Sequence, residues 1–307
     1  MRVSRTFCSQ VSQQVREQRF ATASRGTLWL FVEHPGPWGL HPPHDTPLPD
    51  PAKRHLLHIL QALPLSRLLF IKQERRKAAP LAFFVAVTRE SGPALYAFTL
   101  TSYAELPRID VAVLADGQHA HGSADDRALF LVCTDGKHDA CCAKYGLPIY
   151  HAMRAYAGHA VWQSSHVGGD RFAANVACFP YGLFYGHIGP EDIQPLVDAY
   201  RSGQVYLPKY RGRSCYPFVV QAAEYFIRVE AGITRTDGLR LVRRARLDEQ
   251  IWGAEFSSPA DGRVHQVTIR TELSAFSQYL CCKAQECERV PQYRLLSYRV
   301  VEARQAG

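Results

Sequence analysis

No stretch of this 307-residue chain stays apolar for long. The longest uncharged apolar run, residues 81–87, is far short of the ~20 residues needed to span a bilayer. The chain opens without a secretory pattern, because residues 1–20 are polar and hold no apolar core segment. It also has no low-complexity tract and no long basic run. The net charge of +8 is spread over small groups such as Arg75–Arg76–Lys77, Lys209–Arg211–Arg213 and Arg240–Arg243–Arg244. That scatter reads as solvated surface charge and argues against a nucleic-acid-binding arm. No C-x-x-C pair is present, which weighs against thioredoxin-type dithiol catalysis. No pair of carboxylates stands out that would flank a sugar cleft, as glycoside hydrolysis requires.

What is present is cysteine, nine in all. Without an export signal they do not read as a disulfide scaffold, and an odd number cannot be fully paired within the chain. Buried apolar thiols, metal ligands and redox thiols remain, and Cys178, Cys215, Cys281, Cys282 and Cys287 read as the first of these. The first 32 residues hold five arginines and a single acid, Glu17. The expected location is cytoplasmic, with the mitochondrial matrix left open by that arginine-rich start.

Apolar runs at 27–33, 67–72, 81–88 and 94–100 read as strands, and 51–63 as a helix capped by Asp50. A polar segment at 116–127 marks a boundary. Beyond it the plan repeats: strand 129–133, a helix covering 148–156, strand 160–165, a hairpin of 175–179 and 183–188, and a closing helix at 190–202. A parallel strand–helix–strand unit followed by an antiparallel hairpin and a helix is the thioredoxin-like order. The expected class is therefore α/β. Residues 1–122 would form a degenerate thioredoxin-like copy, residues 123–232 a thioredoxin-like domain, and residues 233–307 a small β appendage of short strands.

The chemistry-bearing residues gather at two strand ends. Cys133 and Cys142 lie on Cys-Thr-Asp-Gly-Lys-His-Asp-Ala-Cys-Cys, where a strand gives way to a helix whose N-terminal partial charge favours thiolate. Thiolate is the form that binds soft metals and iron–sulfur clusters. The second strand runs into Ser-His-Val-Gly-Gly-Asp, whose glycines permit positive φ and whose His166 and Asp170 can face one centre. Two parallel strands ending side by side would bring both loops to one sheet edge. On spacing alone, C-x8-C is no signature.

These residues, in this order, resemble the sucrase/ferredoxin-like family. The likeness runs from about residue 29 to 228. It rests on C-T-D-G-K-H-D-A-C-C at 133–142, H-V-G-G-D-R-F-A-A-N-V at 166–176, and Y-R-G-R-S-C-Y-P with V-Q-A-A-E between 210 and 224. E-H-P-G-P-W-G at 33–39 is similar to the family's early loop. The same stretch is similar to thioredoxin-like [2Fe–2S] ferredoxins, with Y-G-L-F-Y-G-H-I-G-P-E-D at 181–192 matching their ending. The resemblance implies a cluster held by two cysteines and an H-x3-H pair, which assigns Cys133, Cys142 and His166 directly. Asp170 stands in the second histidine's place and offers a harder oxygen ligand. Three outcomes stay open at this point: Asp170 ligates, Cys141 or Cys178 substitutes, or no stable cluster forms.

The function so implied is one-electron, proton-coupled transfer or redox sensing through a [2Fe–2S] cluster, in an electron-transfer protein and not a stand-alone enzyme. The expected partner is an electron donor or acceptor protein, acidic if it docks on the Lys209, Arg211 and Arg213 loop, with no nucleic acid and no membrane involved. The alternatives are a metal-free thiol–disulfide oxidoreductase of thioredoxin-like fold and, further off, a sucrose-cleaving hydrolase.

Overall fold

The computed structural model describes residues 7–74, 80–116 and 127–302. The basic triplet at 75–77 and the boundary placed at 122–123 lie outside them. A short helix, α1 (Cys8–Gln14), precedes β1 (Leu28–Glu33), α2 (Asp50–Ala62), β2 (Ser66–Lys72), β3 (Leu81–Val87), β4 (Ala94–Leu100) and α3 (Val111–Ala115). The second set is β5 (Leu129–Cys133), α4 (Ala140–Ala157), β6 (Val161–Ser164), β7 (Val176–Phe179), β8 (Leu183–Tyr185) and α5 (Ile193–Arg201), followed by β9 (Tyr210–Arg213) and α6 (Phe218–Ala231). A separate antiparallel meander comprises β10 (Arg240–Arg246), β11 (Ile251–Ser257), β12 (Arg263–Gln278) and β13 (Glu288–Glu302).

The large sheet runs β4-β3-β1-β2-β6-β5-β7-β8-β9. In each half a parallel pair (β1 with β2, β5 with β6) is flanked by an antiparallel hairpin (β3–β4, β7–β8). The thioredoxin-like order thus occurs twice, related by the seam where β2 and β6 pair antiparallel over Ile71↔Ser164 and Lys72↔Gln163. Both faces of the strands are buried. Leu28, Leu30 and Val32 pack under α2, while Trp29 and Phe31 point the other way. In β5, Phe130 and Val132 pack under α4 and α5, while Leu129, Leu131 and Cys133 take the opposite face.

That opposite face is shared. A flat sheet would put β1 and β7 about 19 Å apart, four strand spacings, yet the rings of Trp29 and Phe179 are 5.5 Å apart and those of Phe31 and Phe179 4.7 Å. The sheet therefore folds back at the short β2–β6 seam. The two halves face each other across an aromatic core, with helices on the outside of each.

Asp50 is the first residue of α2 and makes no capping bond; Pro49 holds the cap position. β12 and β13 are long, 16 and 15 residues, not the short strands their sequence suggests. The meander docks through α6, whose Val220, Ala223 and Ile227 pack against Ala254 and Phe256 of β11 and Val267 of β12.

His187 sits buried beneath α1, edge-on to Phe172, with Ser9 and Ser12 about its ring. Burial first, then the cations Arg19, Lys209 and Arg211, push its pKa down to about 3. Between about 6.5, the free value, and about 3, the unfolded chain binds a proton that the folded chain refuses, so stability rises with pH across that window. His187 also has φ of 54°, a conformation asparagine accepts. We expect His187→Asn to flatten the loss of stability between pH 6.5 and 3, read as denaturant midpoints across that range; an unchanged slope would remove His187 as the cause.

Candidate metal centre

Cys133 is the last residue of β5, its N–H donating to Asn175 O at 3.1 Å. Cys142 is the third residue of α4. The helix begins at Asp139, whose carboxylate accepts the Cys141 N–H at 2.8 Å while its carbonyl accepts the Cys142 N–H at 3.1 Å. A cap of this kind is worth ~1 kcal/mol. The start of α4 is pressed onto the end of β5, and Gly146 makes this possible. A Cβ on Gly146 would stand 2.0 Å from the Cys133 carbonyl oxygen.

The second loop leaves β6 at Ser165, whose N–H and hydroxyl both engage the Phe70 backbone of β2. His166 follows, then Gly168 and Gly169 with φ of 93° and 80°, then Asp170 in a 3-10 turn. Buried Arg211 holds this loop from behind. Its guanidinium donates to Gly168 O at 2.9 Å, to Asn175 Oδ1 at 2.8 Å and to Thr22. A side chain at Gly169 would collide with it.

The two loops bring the four sequence-predicted residues together. The Sγ atoms of Cys133 and Cys142 and a ring nitrogen of His166 lie within 4.8 Å of one another. The Cys142 thiol donates to Asp170 Oδ1 at 3.3 Å, and His166 Nδ1 is 3.1 Å from the same oxygen. Cys133, Cys142 and Asp170 are buried, whereas the His166 side chain is 21% exposed. The two thiols share one charge. The Cys142 hydrogen bond, aided by His166 against the cost of burial, draws Cys133 down to about 5, and Cys142 is pushed up in turn. Burial disfavours charge on His166 and Asp170 as well. Cys133 and Asp170 nevertheless raise His166, and His138 with His166 lowers Asp170. The site thus gathers a pair of thiols of which Cys133 is drawn toward thiolate, an imidazole and a carboxylate around one point.

Other expectations fare differently. Cys178 lies in the core among Phe130, Val132 and Leu183, and Cys141 faces Cys8 and Cys282, so neither thiol is brought to this centre. Arg211 and Arg213 are 1% and 2% exposed. They are structural cations, Arg213 beside Glu224 and Arg228, and not a docking loop; Lys209 pairs with Asp192. The 33–39 loop packs into the first half through Trp38. Sequence reasoning missed His138, whose ring stacks on His166 at 3.7 Å with Nε2 3.7 Å from Asp170 Oδ2. It also took Cys281 and Cys282 for apolar thiols. Both are half-exposed on the β12–β13 connection, and Cys281 lies within 4.8 Å of carboxylate oxygens of Asp139 and Asp170. The repeated Cys-Cys doublet, 141–142 and 281–282, was the available signal.

Because the obstacle at Gly146 is backbone, Gly146→Ala must push α4 off β5. Overpacking of this kind costs about 1–3 kcal/mol. We expect a matching drop in denaturant midpoint and a loss of the coupled titration of Cys133, followed by ultraviolet thiolate absorbance. Leu147→Ala, at an exposed neighbour, should leave both unchanged.

A curated relative is altered inheritance of mitochondria protein 32 of Meyerozyma guilliermondii, 33% identical over 95 residues, which cover 27% of this chain and 34% of that protein. The chain therefore matches about a third of that relative's length. Among solved structures, a thioredoxin-like [2Fe–2S] ferredoxin from Aquifex aeolicus aligns over 30% of this chain and 97% of its own, at 14% identity and a TM-score of 0.27. The sucrase/ferredoxin-like family matches residues 28–212, the two facing halves of the large sheet together with both loops of the site, and the chain belongs to that family.

Proposed function

We propose that the chain is a redox protein that carries a [2Fe–2S] cluster on Cys133, Cys142, His166 and Asp170. The observation that supports this is the convergence of two thiol sulfurs, an imidazole nitrogen and a carboxylate oxygen at one buried strand-end. The donor chemistry fits. Clusters are held by thiolates, and in Rieske-type centres nitrogen ligands replace sulfur on one of two irons. When bound, such a cluster supplies one-electron transfer. Nitrogen-ligated centres lie at roughly −150 to +300 mV, against about −400 mV for plant-type ferredoxins. A carboxylate in place of a second imidazole adds negative charge, so the potential is expected below that of a two-histidine centre.

The chain's own residues do the rest. Arg211, with Arg171, lays positive charge behind the loop that presents His166 and Asp170. His138, 34% exposed, covers His166 and faces Asp170, between the site and solvent. An electron donor or acceptor protein would meet the centre at this histidine pair.

Protein purified anaerobically should show visible charge-transfer absorption with two irons and two acid-labile sulfides per chain. Cys133→Ser and Cys142→Ser should abolish both. Asp170→Ala should lower iron content, and Asp170→His should keep the cluster and raise its potential. His138→Ala should keep the cluster, weakened at most about 10–100-fold as for other outer partners. Folded, colourless protein without iron even after reconstitution would overturn the reading in favour of a metal-free thiol enzyme. Unchanged iron content in Asp170→Ala would remove Asp170 from the ligand set.

A further inference from the structure

A second group of thiols lies on the far side of Asp139, unused by the centre above. Cys8 on α1, Cys141 on α4 and Cys282 on the β12–β13 connection form a sulfur triangle. Its edges are 3.5 Å (Cys8–Cys141), 3.2 Å (Cys141–Cys282) and 3.6 Å (Cys282–Cys8). These residues are 133, 141 and 274 positions apart in the chain, so the triangle is a product of the tertiary fold. An oxygen of Asp139 lies within 4.8 Å of all three sulfurs. Cys8 and Cys141 are buried and Cys282 is half-exposed, which leaves one corner open to solvent.

Apolar burial does not account for three thiols drawn from three distant segments around one carboxylate at the start of an 18-residue helix. Disulfide formation does not account for it either, since one bond uses two sulfurs and leaves the third. A metal ion uses all of them. The triangle has a circumradius of about 2.0 Å, so a cation at the ~2.3 Å zinc–sulfur distance would sit about 1 Å out of the sulfur plane with a fourth position free. A regular tetrahedral site has sulfur–sulfur edges of about 3.8 Å, which a spread of a few tenths of an ångström would reach. Asp139 is already anchored, accepting the N–H groups of Cys141 and Cys282 at 2.8 and 2.6 Å. A carboxylate keeps further lone pairs for a metal.

We infer that Cys8, Cys141, Cys282 and Asp139 form a second metal site, taking one zinc ion. Each ligating thiol gives its proton to solvent on binding. The ion fastens α1 and the β12–β13 connection to the start of α4. It is a closed structural site whose four ligands are distinct from those of the cluster, with oxygens of Asp139 and Asp170 within 4.8 Å of one another.

The test uses the full chain purified anaerobically, with zinc(II) and, in separate samples, cobalt(II) as probes. About one zinc per chain is expected, and cobalt(II) should give thiolate charge-transfer absorption with the intense d–d bands of a tetrahedral site. Cys8→Ser, Cys282→Ser and Asp139→Asn should each weaken zinc binding about tenfold or more. Cys215→Ser should not. Cys133→Ser, which removes the cluster, should leave zinc in place, so the two metals fail separately. Chelating the zinc should raise hydrogen exchange at 8–14 and 279–287 together. Wild-type protein that takes up neither probe would overturn the site. So would zinc content unchanged in folded Cys282→Ser, checked by circular dichroism, or a Cys141–Cys282 disulfide found by mass spectrometry in the anaerobic protein.

Discussion

The seat of α4 on the end of β5 is the contact on which the chemistry of this molecule rests. A helix can begin so close to the Cys133 carbonyl because Gly146, nearly two turns in, has no side chain to strike it. The helix start then does two things at once. Asp139 caps it, and consecutive residues Cys141 and Cys142, turned about 100° apart by helical geometry, are dealt to different neighbours. Cys142 joins Cys133, His166 and Asp170; Cys141 joins Cys8 and Cys282.

The rest of the fold holds the second loop against that fixed point. The short seam between β2 and β6 lets the two halves close on the aromatic core of Trp29, Phe31, Phe179 and Phe184. It also ends β5 and β6 side by side, from Cys133↔Ser164 onward. The segment 17–24 then straps across the back. Glu17 pairs with Arg171, Thr22 accepts from Arg211, Ala23 is gripped by Gln221 of α6, and the Ser24 hydroxyl donates to Val167 O. Burying Arg211 costs solvation, and its pKa falls to about 9 in consequence, burial outweighing nearby Glu17 and Asp170. The offset is a full set of oxygen acceptors and a negative site a few ångströms away.

Strands of the large sheet were legible because they are uninterrupted branched and aromatic runs, buried on both faces; β5 is the clearest case. The two loops were legible because Cys, His, Gly and Asp gather at strand ends in motifs that resemble the family's, where spacing alone carried no signature. Elements whose buried face is polar were not. α1 packs with Cys8, Ser9 and Ser12, which carry no hydrophobic period. β9 reads Tyr-Arg-Gly-Arg and looks solvent-facing, until Glu224 of α6, eleven residues after Arg213, supplies the compensating charge. His138 and the 281–282 doublet were illegible for another reason. Their relevance depends on which way a loop and a distant hairpin turn, and no local pattern encodes that.

The strap and the β12–β13 connection also carry a consequence for the chain as it is made. Cys141 and Cys142 leave the ribosome about 140 residues before Cys281 and Cys282, and Gln18 meets its partner Tyr293 across 275 positions. At roughly 5–20 residues per second, synthesis of that interval lasts on the order of ten seconds. During it the large sheet can form while the start of α4 still lacks its downstream neighbours. The nascent protein therefore passes through a stage in which Cys141 has met Cys8 and Cys142 has met Cys133, while the side that Cys282 later covers is still open to solvent. The last hairpin ends that exposure.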